Sequence, residues 1–149
     1  MLDHPLDPTQ RTELFVAECR RRGLKLTHQR LEIYKVLAAG EIHPSAEEIH
    51  RQLAPSMPTL SLDTVYRTLM TFEKQGLIGR VEILDDRARF DANLRKHHHL
   101  VCKVCRRAVD FYCPEIDELE VPVNAEGWGE IQSRHLELRG VCRSCSEKD

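Results

Sequence analysis

Two cysteine pairs, Cys102-x-x-Cys105 and Cys142-x-x-Cys145, offer four thiolates from two short turns of the chain. Four soft sulfur ligands suit zinc, whose filled d shell asks for nothing beyond a tetrahedron, and a site closed by four protein ligands is structural because it keeps no position open for substrate. The pairs lie further apart than in compact zinc ribbons, so a shared ion would tie an internal strand region to the C-terminal tail. Redox dithiols are the competing reading, but no thioredoxin-like βαβ pattern surrounds either pair. Around the first pair stand Asp91, His97, His98, His99 and Asp110. In an extended segment His97 and His99 share one face, and imidazole with carboxylate suits iron, manganese or zinc rather than copper(I). Three consecutive histidines could also be a solvated surface run; the neighbouring cysteines and aspartates favour metal. His43, judged locally, is an ordinary loop histidine, and the leftover Cys19 and Cys113 read as small buried hydrophobes.

The elements that must position these groups follow from pattern and punctuation. Residues 9–22 read as a helix stopped by Gly23, and 29–39 as a second, capped by Thr27 and stopped by Gly40. Ser45-Ala46-Glu47-Glu48 is a capping box opening a short helix to Leu53. Pro55 and Pro58 mark a loop, and Ser61 caps a fourth helix over 61–75 with Leu62, Val65, Leu69 and Phe72 on its apolar face and Gly76 at its end. Apolar stretches at 77–84 and 88–90 bracket Asp85-Asp86 as a hairpin. Short helices followed by a hairpin make a winged helix. Beyond a hinge at 94–96, residues 100–101, 108–111 and the alternating run 130–138 read as strands, 114–121 as an acidic helix and 124–129 as a turn. The fold class is therefore α+β, with an N-terminal winged-helix domain over 1–91 and a C-terminal domain over 92–149. The latter, at about 58 residues, is of a size at which a metal or a partner subunit is commonly needed for stability.

Net charge is −2, and dividing the chain after Asp91 leaves 13 Lys+Arg against 14 Asp+Glu, then 9 against 10. Neither part is basic, so contact with DNA must come from local clusters such as Arg20-Arg21-Arg22 with Lys25 and Arg30. No apolar run approaches the roughly 18 residues of a membrane span, and the first residues lack a secretory signal pattern. The expected location is the cytoplasm, where paired cysteines are metal ligands more often than disulfides.

The set His43-Pro44-Ser45-Ala46, Thr64-Val65-Tyr66-Arg67-Thr68-Leu69, Gly76-Leu77-Ile78, Arg89-Phe90-Asp91, His97-His98-His99-Leu100-Val101-Cys102-x-x-Cys105 and Gly140-Val141-Cys142-x-x-Cys145 resembles the ferric uptake regulator family over nearly the whole chain. The resemblance implies a homodimeric, metal-dependent transcriptional repressor of double-stranded operator DNA, with a winged helix and an α/β dimerisation domain. It is closest to the peroxide-sensing repressors. Carried over residue by residue, the regulatory Fe2+ or Mn2+ site is His43, Asp91, His97, His99 and Asp110, beside a structural Zn2+ held by Cys102, Cys105, Cys142 and Cys145. Iron-sensing members usually have Glu where this chain has Asp110. They often add a site with a histidine in the last strand, where Arg134 stands here. His135 is one residue out of that register and reads as a surface histidine, and His98 could serve the extra site instead. An iron- or zinc-responsive uptake regulator is the alternative within the family.

For DNA, the helix over 61–75 enters the major groove by its N-terminal part, with Ser61, Thr64, Tyr66 and Arg67 as candidates. Arg67 would meet guanine or phosphate. Tyr66 would meet a thymine methyl or phosphate, or simply pack half-buried. Arg22 and Arg30 would hold backbone phosphates or form solvated helix ends. A small metalloenzyme is the remote alternative, since H-E-x-x-H, nucleophile-elbow and phosphate-loop motifs are missing from the sequence.

Overall fold

The computed structural model describes residues 6–40, 43–81 and 88–148. They form two compact units, the first ending at Leu94 and the second beginning at Arg95.

In the first unit, α1 (Pro8–Arg22) starts one residue earlier than its periodicity implies. The cause is a capping box in which Asp7 and Gln10 satisfy each other's backbone N–H, with Pro8 preset for the first turn. Gly23 ends α1 at φ 68°, and the Leu24 N–H reaches back to the Cys19 carbonyl at 2.9 Å, so two orphaned carbonyls are closed. α2 (His28–Ala39) is capped by the Thr27 hydroxyl on the Arg30 N–H, whereas Gly40 leaves it in an extended rather than left-handed conformation. α3 (Ala46–Leu53) carries the full Ser45/Glu48 capping box, and α4 (Leu62–Lys74) is capped by Ser61. Gly76 turns the chain at φ 72°.

An antiparallel pair follows, β1 (Gly79–Val81) with β2 (Arg89–Asp91), Arg80 facing Phe90. The Asp85-Asp86 turn expected between them lies outside the described residues. β2 is also fastened to the entry of α3, because Ser45 bridges Arg89 and the Phe90 N–H donates to the Pro44 carbonyl at 3.1 Å. The core is one cluster from all four helices and β2. At its centre Phe15 stacks on Tyr34 at 3.7 Å, and Phe72 meets Phe15 edge-on at 4.9 Å and Tyr34 at 6.4 Å. Burial pushes the Tyr34 hydroxyl pKa up to about 12.

The second unit is a three-stranded sheet in the order β4-β3-β5, made of β3 (His98–Cys102), β4 (Ala108–Phe111) and β5 (Glu137–Gly140). β4 runs antiparallel to β3, with His99 opposite Asp110, and β5 runs parallel, with His99 opposite Glu137. Two short helices, α5 (Pro114–Asp117) and α6 (Arg143–Ser146), and a 3-10 turn at Val123–Ala125 complete it. Two expectations need correction here. The acidic helix ends at Asp117 rather than continuing to 121, and the strand expected over 130–138 begins only at Glu137. Alternating polarity reports a chain exposed on one side, but a strand also needs ladder partners. In the parallel register, residues before 136 run past the start of β3. At Leu136 the N–H donates to the His98 imidazole at 3.0 Å instead of to a backbone carbonyl.

Because Phe72 is fully buried and touches both other rings, Phe72→Ala should remove about 3–5 kcal/mol of stability. The loss would be read as a lowered urea midpoint at unchanged slope. A loss below about 1 kcal/mol, ordinary for any point substitution, would contradict the central place given to the aromatic trio.

Candidate metal centres and nucleic-acid interface

The four thiols of Cys102, Cys105, Cys142 and Cys145 lie within 4.8 Å of one another, all in the second unit. Cys105 and Cys142 sulfurs are 3.8 Å apart. A tetrahedron with Zn–S bonds of about 2.3 Å separates its sulfurs by about 3.8 Å, so the donor set fits zinc with little movement. A disulfide would need about 2.05 Å, and all six cysteines are free thiols. The hydrogen bonds favour thiolate as well. The Cys142 N–H and the Cys105 N–H donate to the Cys102 sulfur at 3.3 and 3.5 Å, holding its pKa down at about 6. Cys145 is pushed the other way, to about 12, first by its hydrogen bond with Cys142. A divalent ion at the centre would favour the thiolate form of all four. The positions come from local structure: Arg106 at φ 66° reverses the chain after the first pair, and α6 carries the second. Of the leftover thiols, Cys19 is buried as expected, with its pKa raised by that burial. Cys113 is half-exposed and donates to Glu115 at 3.3 Å, so it is not a buried hydrophobe.

The histidine run is sorted by strand parity. His97 and His99 turn to one face of the sheet, where their Nε2 atoms lie 3.6 and 3.3 Å from the same Asp110 oxygen. At metal–ligand bonds of about 2.1 Å, neighbouring donors are about 3.0 Å apart in an octahedron and about 3.4 Å in a tetrahedron, so these atoms already stand at coordinating distances. The Nδ1 of His97 faces the Arg95 carbonyl, which leaves Nε2 as the nitrogen turned to Asp110. His98 points the opposite way and is fully buried. Its Nδ1 accepts from the Leu136 N–H and its Nε2 lies 2.9 Å from the Asp117 carboxylate, so both nitrogens staple the sheet together. In this arrangement both of its ring nitrogens are engaged within the sheet unit. Lys96 shares that carboxylate at 3.7 Å, and Arg134 donates to the Asp117 carbonyl at 3.0 Å.

In the first unit, His43 is buried rather than an ordinary loop histidine, with Nδ1 3.6 Å from Asp91. The same Asp91 oxygen accepts the Asn93 N–H at 2.8 Å, and Arg89 donates to the His43 carbonyl at 3.1 Å. His135 is exposed, as a surface histidine should be, and its Nε2 lies 3.1 Å from His99 Nδ1, a contact the sequence reading did not anticipate. Burial first, and then the imidazoles of His99 and His98, lower its pKa. The parity argument that removed it from one face put it on the other, where His99 stands; that was the available signal.

On the first unit a groove of about 400 Å3 brings together Lys25, Thr27 and Arg30 at the start of α2 with Thr64, Arg67 and Thr71 on α4. Arg67 is four-fifths exposed and pairs with Asp63 at 2.9 Å. Such an exposed pair is worth little and can be exchanged for a phosphate or a base edge. Ser61 is occupied as a cap, its hydroxyl accepting the Thr64 N–H at 3.1 Å. Tyr66 donates its hydroxyl to Glu47 at 2.5 Å and packs against the core. Arg22 lies away from the groove and shares Glu18 with Arg21, which together hold that carboxyl down at about 2.

The ferric uptake regulator family model matches residues 21–139. The peroxide-responsive repressor PerR of Staphylococcus epidermidis is 32% identical over 147 residues, covering 99% of this chain and 94% of that one. Among solved structures, the Helicobacter pylori ferric uptake regulator Fur, described as having three functional metal binding sites, is 25% identical at a TM-score of 0.71 and covers 97% of both chains. The Francisella tularensis regulator with iron is 29% identical at the same TM-score, over 84% of this chain and 96% of its own.

Cys102→Ser removes the sulfur on which two backbone donors converge. Protein purified without chelator should carry stoichiometric zinc, and the variant none, with loss of the sheet unit's cooperative unfolding. A variant that keeps stoichiometric zinc would contradict the four-thiolate assignment.

Proposed function

This chain belongs to the ferric uptake regulator family, and from that premise we propose that it is a metal-dependent, DNA-binding transcriptional repressor that senses peroxide. Its regulatory ion, Fe2+ or Mn2+, would be held by His43, Asp91, His97, His99 and Asp110, with Zn2+ structural at Cys102, Cys105, Cys142 and Cys145. The observation that carries the reading is the convergence of two imidazole Nε2 atoms on one Asp110 oxygen. Support for peroxide over iron comes from the likeness to PerR repressors and from the aspartate at 110. The place of the extra-site histidine of iron sensors is taken by Arg134, beside an Asp117 carboxylate already shared by Lys96 and His98.

Held by these residues, Fe2+ would activate hydrogen peroxide as a two-electron oxidant of a nearby imidazole, one peroxide oxygen going to a ring carbon and the other leaving as water. His43 and Asp91 belong to the DNA-reading unit, whereas His97, His99 and Asp110 belong to the sheet unit. One ion bound by both sets would couple their orientation. In a homodimer that orientation governs the separation of two α4 helices, which must match half-sites about 34–36 Å apart or a multiple. The dimer reading draws on the sheet face opposite Asp110, where Leu100 and Leu138 are neighbours in register and about half exposed. Exposed Trp128, Val123 and Ile131 belong to the same unit, and apolar surface of this kind marks association sites. On the operator, Arg67, Thr64 and Arg30 would face DNA from the α2/α4 groove, with Ser61, Tyr66 and Arg22 supporting the helices that present them.

Chain loaded with Fe2+ and treated with hydrogen peroxide should gain a single oxygen on His43 or His97 by peptide mass mapping and release its operator. Chain loaded with Mn2+ should do neither. Retained DNA binding with no oxygen adduct would overturn peroxide sensing in favour of an iron or zinc sensor.

A further inference from the structure

His135 precedes β5 on the sheet face that also carries His97, His99 and Asp110. Its ring lies 4.8 Å from the His99 ring, inclined at 51°, and its Nε2 is 3.1 Å from His99 Nδ1. The other nitrogen of His99, Nε2, is the one turned to Asp110. An imidazole that ligates through Nε2 carries its proton on Nδ1, and the acceptor of that proton determines tautomer and ring plane. His97 provides the internal comparison, since it uses Nε2 toward the same Asp110 oxygen and gives Nδ1 to a backbone carbonyl. A carbonyl accepts under all conditions. An imidazole accepts only when it is neutral and keeps its own proton on the far nitrogen.

We propose that His135 is a positioning residue of the regulatory site: its Nε2 accepts the Nδ1 proton of His99 and thereby holds His99 Nε2 toward Asp110 and the ion. His135 itself remains outside the coordination sphere. The inference rests on the regulatory-metal reading above. It assigns a role to a side chain outside both metal sets.

The test compares wild type, His135→Leu and His135→Gln, the last offering an amide oxygen as acceptor. Mn2+ affinity is measured by electron paramagnetic resonance of the free ion, with zinc content and unfolding midpoint recorded on the same samples. The expected result is a loss of about 10–100-fold in Mn2+ affinity for His135→Leu, most of it restored in His135→Gln, at unchanged zinc content. Wild-type Mn2+ affinity in His135→Leu, or equal weakening in both variants, would overturn the positioning role while leaving the regulatory site standing. A wild-type chain that binds no Mn2+ would overturn both readings together. Should His135→Leu fail to fold, nitrogen-15 NMR of wild type with diamagnetic Zn2+ in the regulatory site decides: His135 protonated on Nδ1 is expected, and on Nε2 overturns the proposal.

Discussion

Strand β3 is the constraint on which the second unit depends, because it must be held in place with almost no hydrophobic core. Among the described residues of that unit, the buried apolar side chains are Val101, Cys102 and Ala108. At roughly 1.5–3 kcal/mol for a large side chain, these cannot offset the entropy of ordering some fifty residues at about 1–2 kcal/mol each. A four-thiolate zinc site contributes about 10–16 kcal/mol in small peptides, comparable to the 5–15 kcal/mol total stability of an ordinary domain. An ion held by the four cysteines would supply stability on the scale this unit lacks. The first unit needs no such help, since Phe15, Tyr34 and Phe72 centre a core drawn from four helices.

The same strand distributes chemistry by parity. Residues 97, 99 and 101 face one side and 98, 100 and 102 the other, so three adjacent histidines take different roles. His97 and His99 meet Asp110, while His98 fastens Leu136 and Asp117 from the opposite side. Leu100 and Leu138 lie on the His98 side, away from Asp110, and both are about half exposed. Both histidines turn Nε2 to the aspartate and use Nδ1 behind it, an arrangement that would need little reorganisation to take an ion.

Much of this was legible in the chain alone because the signals were local. Capping boxes, glycine stops and apolar spacing located α1 to α4 within a residue or two, and two C-x-x-C pairs specified a tetrahedral sulfur site. What escaped depended on contacts far apart in sequence. Alternating polarity over 130–138 looked like a strand, but only residues from Glu137 onward find a neighbour in β3. His135 is the exposed histidine it was read as, but its contact with His99, 36 residues away, becomes visible only when the parallel register is known. For Tyr66 the half-buried packing was legible, but its hydroxyl bond to Glu47 on a different helix was not. His43 carried no local signal, and its burial beside Asp91 is a tertiary event.

The central claim is that metal and DNA favour one conformational state, so their affinities must be reciprocally coupled, typically by about 1–3 kcal/mol or 5–150-fold. The direct measurement is fluorescence anisotropy on a duplex selected by this protein from a random pool in the presence of Mn2+. The duplex is titrated at saturating and zero Mn2+, and Mn2+ is titrated with and without the duplex. Mn2+ should tighten DNA binding by a factor in that range, DNA should tighten Mn2+ binding by the same factor, and His43→Ala should abolish both. DNA affinity independent of Mn2+ in the zinc-replete protein would contradict it.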